Sequence, residues 1–240
     1  MARACVCDDY FTVDPTGELC LKPGTMGLRG RVIFDEVGVR QFEKADYPWL
    51  ARVRVQVQGG GGGSAGATAD SGELIARPGA PAGAWAERLI EASALGAVET
   101  VVVGAGGVGG TGNNAGGAGG TSSFGGFVIA AGAEGGAANP PSGTAPVTAR
   151  GPGGATTGTG DLVIGGGGSG VALRLDANNG FSGAGGDSQL GHGGNERRAN
   201  GSGEPPTGWG AGAGGAFSTN GSAQTGTAGG QGVVIVELYG

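Results

Sequence analysis

Three features of the sequence could carry chemistry: a glycine run after an apolar segment, a lone histidine and a group of cysteines. The run at 103–110, V-G-A-G-G-V-G-G, superficially matches a dinucleotide-binding fingerprint. That fingerprint must open a helix and needs an acidic residue about 20 positions later. Here the chain continues as T-G-N-N-A-G-G, which is a poor helix former. We therefore predict no nucleotide site and no cofactor.

His192 is the only histidine of the chain, and it lies within the motif G-H-G-G. Three copies around the axis of a homotrimer could bind a metal, but a solvated loop histidine is the simpler interpretation. Serines are numerous without any pattern that marks a nucleophile. Carboxylates are scattered rather than paired. The sequence thus predicts no enzyme and no metal site.

The three cysteines, Cys5, Cys7 and Cys20, all lie near the N-terminus. A Cys-x-Cys pair plus one further thiol is one ligand short of a structural zinc site. A single disulfide between Cys20 and either Cys5 or Cys7 is one interpretation. Three ordinary thiols are the other, because disulfides are rare in reducing compartments.

Composition excludes several classes of protein. Lys and Arg total 14 against 20 Asp and Glu, a net charge of −6, so the chain lacks the basic footprint of a nucleic-acid binder. No apolar run reaches about 18 residues, and we expect no membrane insertion. The first residues lack the apolar core of a secretory signal.

Glycine is unevenly distributed, and this sets the domain boundaries. Only five of the 61 glycines precede residue 59, whereas eight of the 14 basic residues do. We predict an extended N-terminal attachment arm at 1–29, β-strands at 30–58 that lead into the body, and a glycine-rich β domain at 59–240.

Short strands punctuate the chain. In the segment 50–58, Val53, Val55 and Val57 alternate with polar residues, which predicts a half-buried strand. Tyr47 and Trp49 are expected at the edge of a core. Similar strands are predicted at 84–93, 99–103, 124–131, 161–164, 171–175 and 232–239. With about eight strands and no convincing helix, the fold class is all-β, a short-strand sandwich or meander.

The glycine region has a local period of three, with glycines at 104, 107 and 110 and again at 106, 109 and 112. This is the period of polyproline-II-type helices, which form no internal hydrogen bonds. Glycine costs about 0.5–1 kcal/mol relative to alanine in regular structure. A folded region therefore needs dense backbone hydrogen bonding and assembly between chains. Glycine-rich loops on a β-scaffold and packed polyglycine-II helices are both open.

Some side chains in this region could contact a receptor. Trp209 and Phe217 stand among small residues, where each could equally fill a local core. Turn-rich loops surround Asn179 and the pair Arg197 and Arg198. The candidate receptor-contact residues are His192, Trp209, Phe217, Asn179, Arg197 and Arg198.

Four motifs in order carry a resemblance to a known family. They are V-R-V-Q-V-Q-G-G-G-G-G at 53–63, E-T-V-V-V-G-A-G-G at 99–107, G-G-T-S-S-F-G at 119–125 and G-Q-G-V-V-I-V-E-L-Y at 230–239. Together they resemble the glycine-rich domain of bacteriophage minor tail and tail-fibre proteins, particularly those of actinobacteriophages. The resemblance covers about residues 30–240. The segment 64–83 departs from it, because Glu73, Arg77, Pro78 and Pro81 interrupt the glycine.

The resemblance implies a structural virion protein at the tail tip or fibre. It further implies a homotrimer, assembled in the host cytoplasm, whose arm binds other tail proteins and whose body attaches to a glycan or protein of the host cell. One alternative is a purely architectural tail-tip component without receptor contact. Another is a bacterial glycine-rich cell-surface protein, which the missing export signal disfavours.

Overall fold

A computed structural model of the chain describes residues 9–22 and 24–240. Within these residues the protein is all-β, with one 3-10 turn at Lys44–Asp46, as the sequence predicted. The strands are β1 Phe11–Val13, β2 Leu19–Leu21, β3 Leu28–Phe34, β4 Gly38–Glu43, β5 Arg52–Gln58, β6 Ala67–Thr68, β7 Leu74–Ala76, β8 Trp85–Glu91, β9 Val98–Val103, β10 Ser122–Phe124, β11 Val128–Ala130, β12 Val147–Ala149, β13 Gly158–Thr159, β14 Leu162–Ile164, β15 Ala172–Arg174, β16 Gly180–Phe181, β17 Leu190–His192, β18 Thr207–Trp209, β19 Phe217–Thr219, β20 Ala223–Gln224 and β21 Val233–Tyr239.

Two five-stranded sheets pack against each other as a β-sandwich. One has the strand order β14-β8-β5-β21-β3 and the other β13-β11-β10-β9-β4. The valines of β5 are buried against Phe124 and Val128 of the opposite sheet. Because side chains alternate along a strand, the polar residues Arg52 and Arg54 are left on the outer face. The half-buried strand predicted from the alternation is therefore confirmed.

An aromatic group closes one edge of this core. The rings of Phe42 and Tyr47 stack with centroids 5.4 Å apart, and Phe124 meets Phe42 edge-on at 5.5 Å. Trp49 packs edge-on against Tyr47 at 6.0 Å. Both Tyr47 and Trp49 thus lie at the core edge, as predicted.

A lattice of extended segments continues from one end of the sandwich, and segment 59–64 lies at its centre. Successive N–H groups of this segment donate in turn to three neighbouring chain segments. Residues i and i+3 therefore donate to the same neighbour. Gly59 and Gly62 donate to Ala84 and Pro81, Gly60 and Gly63 to Gly120 and Gly117, and Gly61 and Ser64 to Gly230 and Thr227, each at 2.8 to 3.0 Å. This three-residue period is that of packed polyglycine-II helices.

The carbonyl groups of the same segment bind three further neighbours. Ala133 and Gly136 donate to Gly60 and Gly63, Gly107 and Gly110 donate to Gly61 and Ser64, and Ala213 donates to Gly62. The central segment therefore has six neighbours, and every one is held by backbone hydrogen bonds. Of the two alternatives left open by the sequence, the lattice is the one that forms.

Glycine is required in the lattice because its backbones approach too closely for any side chain. A Cβ atom at Gly61 would lie 2.0 Å from the carbonyl oxygen of Ala211, and one at Gly59 would lie 2.1 Å from that of Ala131. Real Cβ atoms do not approach backbone oxygens this closely. The composition is thus explained by packing rather than by turns.

A second central segment, 77–84, contains the prolines that seemed to interrupt the glycine. Its N–H groups also alternate among neighbours: Ala80 and Gly83 donate to Ala213 and Gly210, Gly79 and Ala82 to Gly170 and Gly167, and Ala84 to Ala131. Pro78 and Pro81 occupy the remaining third-residue positions. Proline lacks an N–H group, so Pro78 and Pro81 donate no hydrogen bond to a neighbour. The N–H groups at the other positions hold the segment in place.

Strand direction is carried into the lattice. Segments 59–64, 104–110 and 131–136 follow β5, β9 and β11, and they run away from the sandwich. Segments 77–84, 116–121 and 226–232 return to β8, β10 and β21. The hydrogen-bond registers above show the outgoing segments parallel to one another and the returning ones antiparallel to them.

The far end of the lattice, which we call the tip, consists of short paired strands and turns. Its strands are β6, β7, β12, β15, β16, β19 and β20, which pair in three small sheets. Two small clusters are buried there, one around Leu74 and Phe217 and one around Ile75. The opposite end of the sandwich, which we call the base, contains Gly240, whose carbonyl accepts from the N–H of Met26 at 2.8 Å.

The predicted extended arm contains a small hairpin in its described part. Strands β1 and β2 pair antiparallel. The carboxylate of Asp14 closes the turn by accepting from the N–H groups of Thr16 and Glu18, both at 2.9 Å, and Gly17 has a φ of +89°. The sequence predicted irregular structure here because the turn residues were visible but the short strands were not.

Two local predictions were wrong. The segment 124–131 is a hairpin, with β10 and β11 joined by a turn at Gly125, whose φ is +51°. Gln58 was expected to face outward, but it is buried, and its amide donates to the carbonyls of Gly83 and Ala84.

Candidate functional site

The predicted contact residues fall into three different places. His192 and Trp209 lie on the hairpin of β17 and β18, where Leu190 pairs with Trp209. This hairpin flanks the sandwich end of the lattice, because the next residue, Gly210, donates to Gln231 just before β21. The His192 side chain is 87% exposed, with Nδ1 3.8 Å from Asp187.

The other polar candidates lie toward the tip. Asn179 is exposed in the turn between β15 and β16, and its amide donates to the Asp176 carboxylate. That carboxylate also accepts from the N–H of Asn178, and these hydrogen bonds lower the pKa of Asp176. Arg197 is half-buried in an ion pair with Glu204 at 2.6 Å, whereas Arg198 is exposed.

Phe217 fills a core. It is 1% exposed and packs with Leu74, Ala76, Ala149 and Ala172. Of its two interpretations, the structure therefore supports the core one, and the Phe217 ring is not a surface available to a receptor. Cys20 lies half-buried in β2, while Cys5 and Cys7 lie outside the described residues, so the disulfide stays a prediction.

A buried arginine in the tip was not singled out by sequence reasoning. Arg77 is 1% exposed, and burial lowers the pKa of its guanidinium to about 10. Nε donates to the carbonyl of Gly66 at 2.8 Å, and Nη1 donates to the carbonyls of Ala138 and Pro140. Nη2 donates to Oδ1 of Asn113 at 2.9 Å. One side chain thus joins three segments of the tip.

A second arginine holds the same loop from the other side. Nε of Arg174 donates to the carbonyl of Ala145 at 2.8 Å. Its Nη1 donates to the carbonyls of Leu74 and Pro141 at 2.9 and 2.8 Å. Both guanidinium groups donate to backbone carbonyls of the loop 138–145. Because the donors are charged, these are charge-assisted hydrogen bonds, and they fix the loop.

A surface cavity of about 490 Å³ lies where these segments meet. Arg77 and Asn113 line it together with Asp70, Asn139 and Ser142. Ser142 Oγ accepts from the N–H of Asp70 at 2.9 Å, which ties two of the walls together. The sequence signal was the single arginine among small residues at 74–84, which was taken only as an interruption of the glycine.

The outer face of the first sandwich sheet carries an ion-pair network. Glu237, whose side chain is 8% exposed, lies 2.6 Å from Arg31 and 3.7 Å from Arg54, and Arg54 also pairs with Glu87 at 2.6 Å. The hydrogen bond to Glu87 raises the pKa of Arg54. Burial, together with a hydrogen bond to Glu237, raises the pKa of Tyr239. These groups neutralise one another and stabilise the strand register.

Within 9–22 and 24–240, no group of three or more His, Cys, Asp or Glu side chains is placed to hold a metal ion. Over the same residues, no helix has the length and apolar character needed to cross a bilayer.

Fold and sites together define a β-sandwich protein whose body is a glycine lattice with a polar tip. A family model described as a glycine-rich domain matches residues 41–239. Since the match covers most of the chain, the protein belongs to this glycine-rich domain family. No curated protein matches the chain.

Proposed function

We propose that the protein is a non-enzymatic structural component of a phage tail tip or tail fibre, whose tip is displayed outward for attachment to a host cell. The observation that supports this proposal is the two-ended architecture. A sandwich base that holds residues 24–28 beside Gly240 is separated by the lattice from a tip made of short turns.

The lattice is suited to such a role because it is a spacer built mainly of glycine and alanine, which have few side-chain atoms to order. Its interior segments are fixed by backbone hydrogen bonds in three directions. Binding residues are commonly placed on loops that a rigid scaffold positions. The turns at the tip, including those at 70–73, 111–114 and 176–179, are largely exposed at the end of this scaffold.

Adsorption to cells tests the proposal. Purified protein, fluorescently labelled at the base, is incubated with bacteria that the corresponding phage infects, and bound fluorescence is measured with and without competing phage. We expect saturable binding that the phage reduces. If the protein neither binds to the cells nor competes with the phage, the attachment role is ruled out and a purely architectural component remains. If the protein binds to the cells and added phage does not reduce the bound fluorescence, a bacterial cell-surface adhesin would be favoured instead.

A further inference from the structure

We propose that the tip cavity bounded by Asp70, Asn139 and Ser142 is a binding site for a neutral saccharide. The inference rests on the proposed function, because it names the chemistry by which the tip would recognise a cell surface. None of these three residues stood among the sequence candidates.

The first support is the set of polar groups that the fold leaves available. Neither the Asp70 carboxylate nor the Asn139 amide has a hydrogen-bond or ion-pair partner among the residues that the structure describes. Ser142 Oγ accepts from Asp70 N–H, which leaves its hydroxyl proton to donate. Asn113 uses one amide proton on the carbonyl of Thr68 and retains another. Carboxylate, amide and hydroxyl groups are the partners that sugar hydroxyls require.

The second support is charge. The cavity is lined by one cation, Arg77, and one anion, Asp70. Phosphate or sulfate would face the Asp70 carboxylate, and a metal cation would face the Arg77 guanidinium. Four of the Arg77 N–H groups are already used within the protein. A neutral ligand with many hydroxyl groups satisfies the available groups without opposing either charge.

The third support is that the walls are fixed before any ligand binds. Arg77 joins the wall of Asn113 to the wall of Ala138 and Pro140. Arg174 holds the same loop at Pro141. Preorganised walls reduce the ordering cost of binding. The cavity volume of about 490 Å³ lies within the range of small-ligand sites, and Ala138 and Pro141 offer an apolar surface for the C–H face of a sugar ring.

The test is a titration of the full-length, ¹⁵N-labelled protein with six sugars added separately: glucose, galactose, mannose, rhamnose, arabinose and N-acetylglucosamine. We expect at least one sugar to cause saturable shifts of the amide signals of Asp70, Asn139 and Ser142. The Asp70→Ala variant should lose about tenfold or more in affinity, since charge-assisted hydrogen bonds are lost. Asn139→Ala should weaken binding in the same direction.

Glu196→Ala is the matched control, because it removes another exposed carboxylate toward the tip and should bind as wild type. Sodium phosphate and calcium chloride are titrated in parallel. The proposal is overturned if no sugar shifts the cavity signals, if Asp70→Ala, with an otherwise unchanged spectrum, binds as wild type, or if phosphate or calcium shifts these signals instead.

Adsorption of the same variants separates this inference from the proposed function. If wild-type protein and Asp70→Ala adsorb to cells equally, attachment stands and the cavity is not the site. If a sugar binds in the cavity but neither protein adsorbs to cells, the site stands and the attachment role fails.

Discussion

At the scale of single residues, glycine in the interior of the lattice acts through the absence of a Cβ atom rather than through unusual backbone angles. Gly61 illustrates this, because its backbone meets the Ala211 carbonyl at a distance that no side chain permits. Residues at the rim of the lattice are different. A Cβ atom at Gly153 would meet no atom within 4 Å. The effect of adding a methyl group should therefore depend on depth in the lattice.

Gly61→Ala should lower the free energy of unfolding by about 3 kcal/mol or more, at or beyond the usual cost of overpacking. Gly153→Ala should leave it unchanged or raise it by up to about 1 kcal/mol, because alanine restricts the unfolded chain. Denaturant unfolding of both variants measures the difference. Equal stabilities would contradict the lattice packing.

The Glu237 carboxylate is the second residue-scale prediction. It is nearly buried between Arg31 and Arg54, so Glu237→Gln should cost about 1–3 kcal/mol of unfolding free energy. Glu36, which pairs with Arg40 at the surface, provides the control. Glu36→Gln should cost no more than about 1 kcal/mol. If Glu36→Gln lowers the free energy of unfolding as much as Glu237→Gln does, the network does not stabilise the sheet and the prediction fails.

At the scale of elements, the central segment 59–64 should be among the most protected parts of the molecule. Its N–H groups are all hydrogen-bonded and its six residues are buried. Amide exchange from such a segment requires opening close to global unfolding. Exchange followed by mass spectrometry should show slow exchange at 59–64 and fast exchange at the exposed turn 111–113. Rapid exchange at 59–64 would mean that the segment is not ordered in solution.

At the scale of the whole molecule, one face of the sandwich is suited to contact between chains. Val39 is 62% exposed on the outer face of the second sandwich sheet, and the half-buried Val102 lies beside it on β9. We take these two valines as the candidate contact surface between chains. The family resemblance implies a homotrimer, and we predict that its chains meet through this face.

Light scattering of the purified protein at micromolar concentration should give three times the chain mass of 22.8 kDa. Val39→Lys should shift the distribution toward the single chain, because a charge would be placed on this face. Glu36→Lys, an exposed change outside the grouped valines, should not. A monomeric wild-type protein would contradict the prediction.

The sequence by itself determined the longer strands of the sandwich, such as β5 and β21. In β5 the alternation of valine with polar residues allows one burial pattern only, since a one-residue shift would bury Arg54. The three-residue spacing of glycine likewise indicated helices that must be satisfied by neighbours. Both signals are local, and each could be found without knowing what lies opposite.

Only the tertiary structure decided which segments become neighbours. The partners of Gly60 lie at Gly120 and Ala133, and nothing in the local sequence selects them. Their positions follow from the sandwich, because each lattice segment inherits its place and direction from the strand that it joins. The same holds for the tip cavity: Arg77 is a single residue in the sequence, and it becomes part of a cavity wall only where three distant segments converge on its guanidinium group.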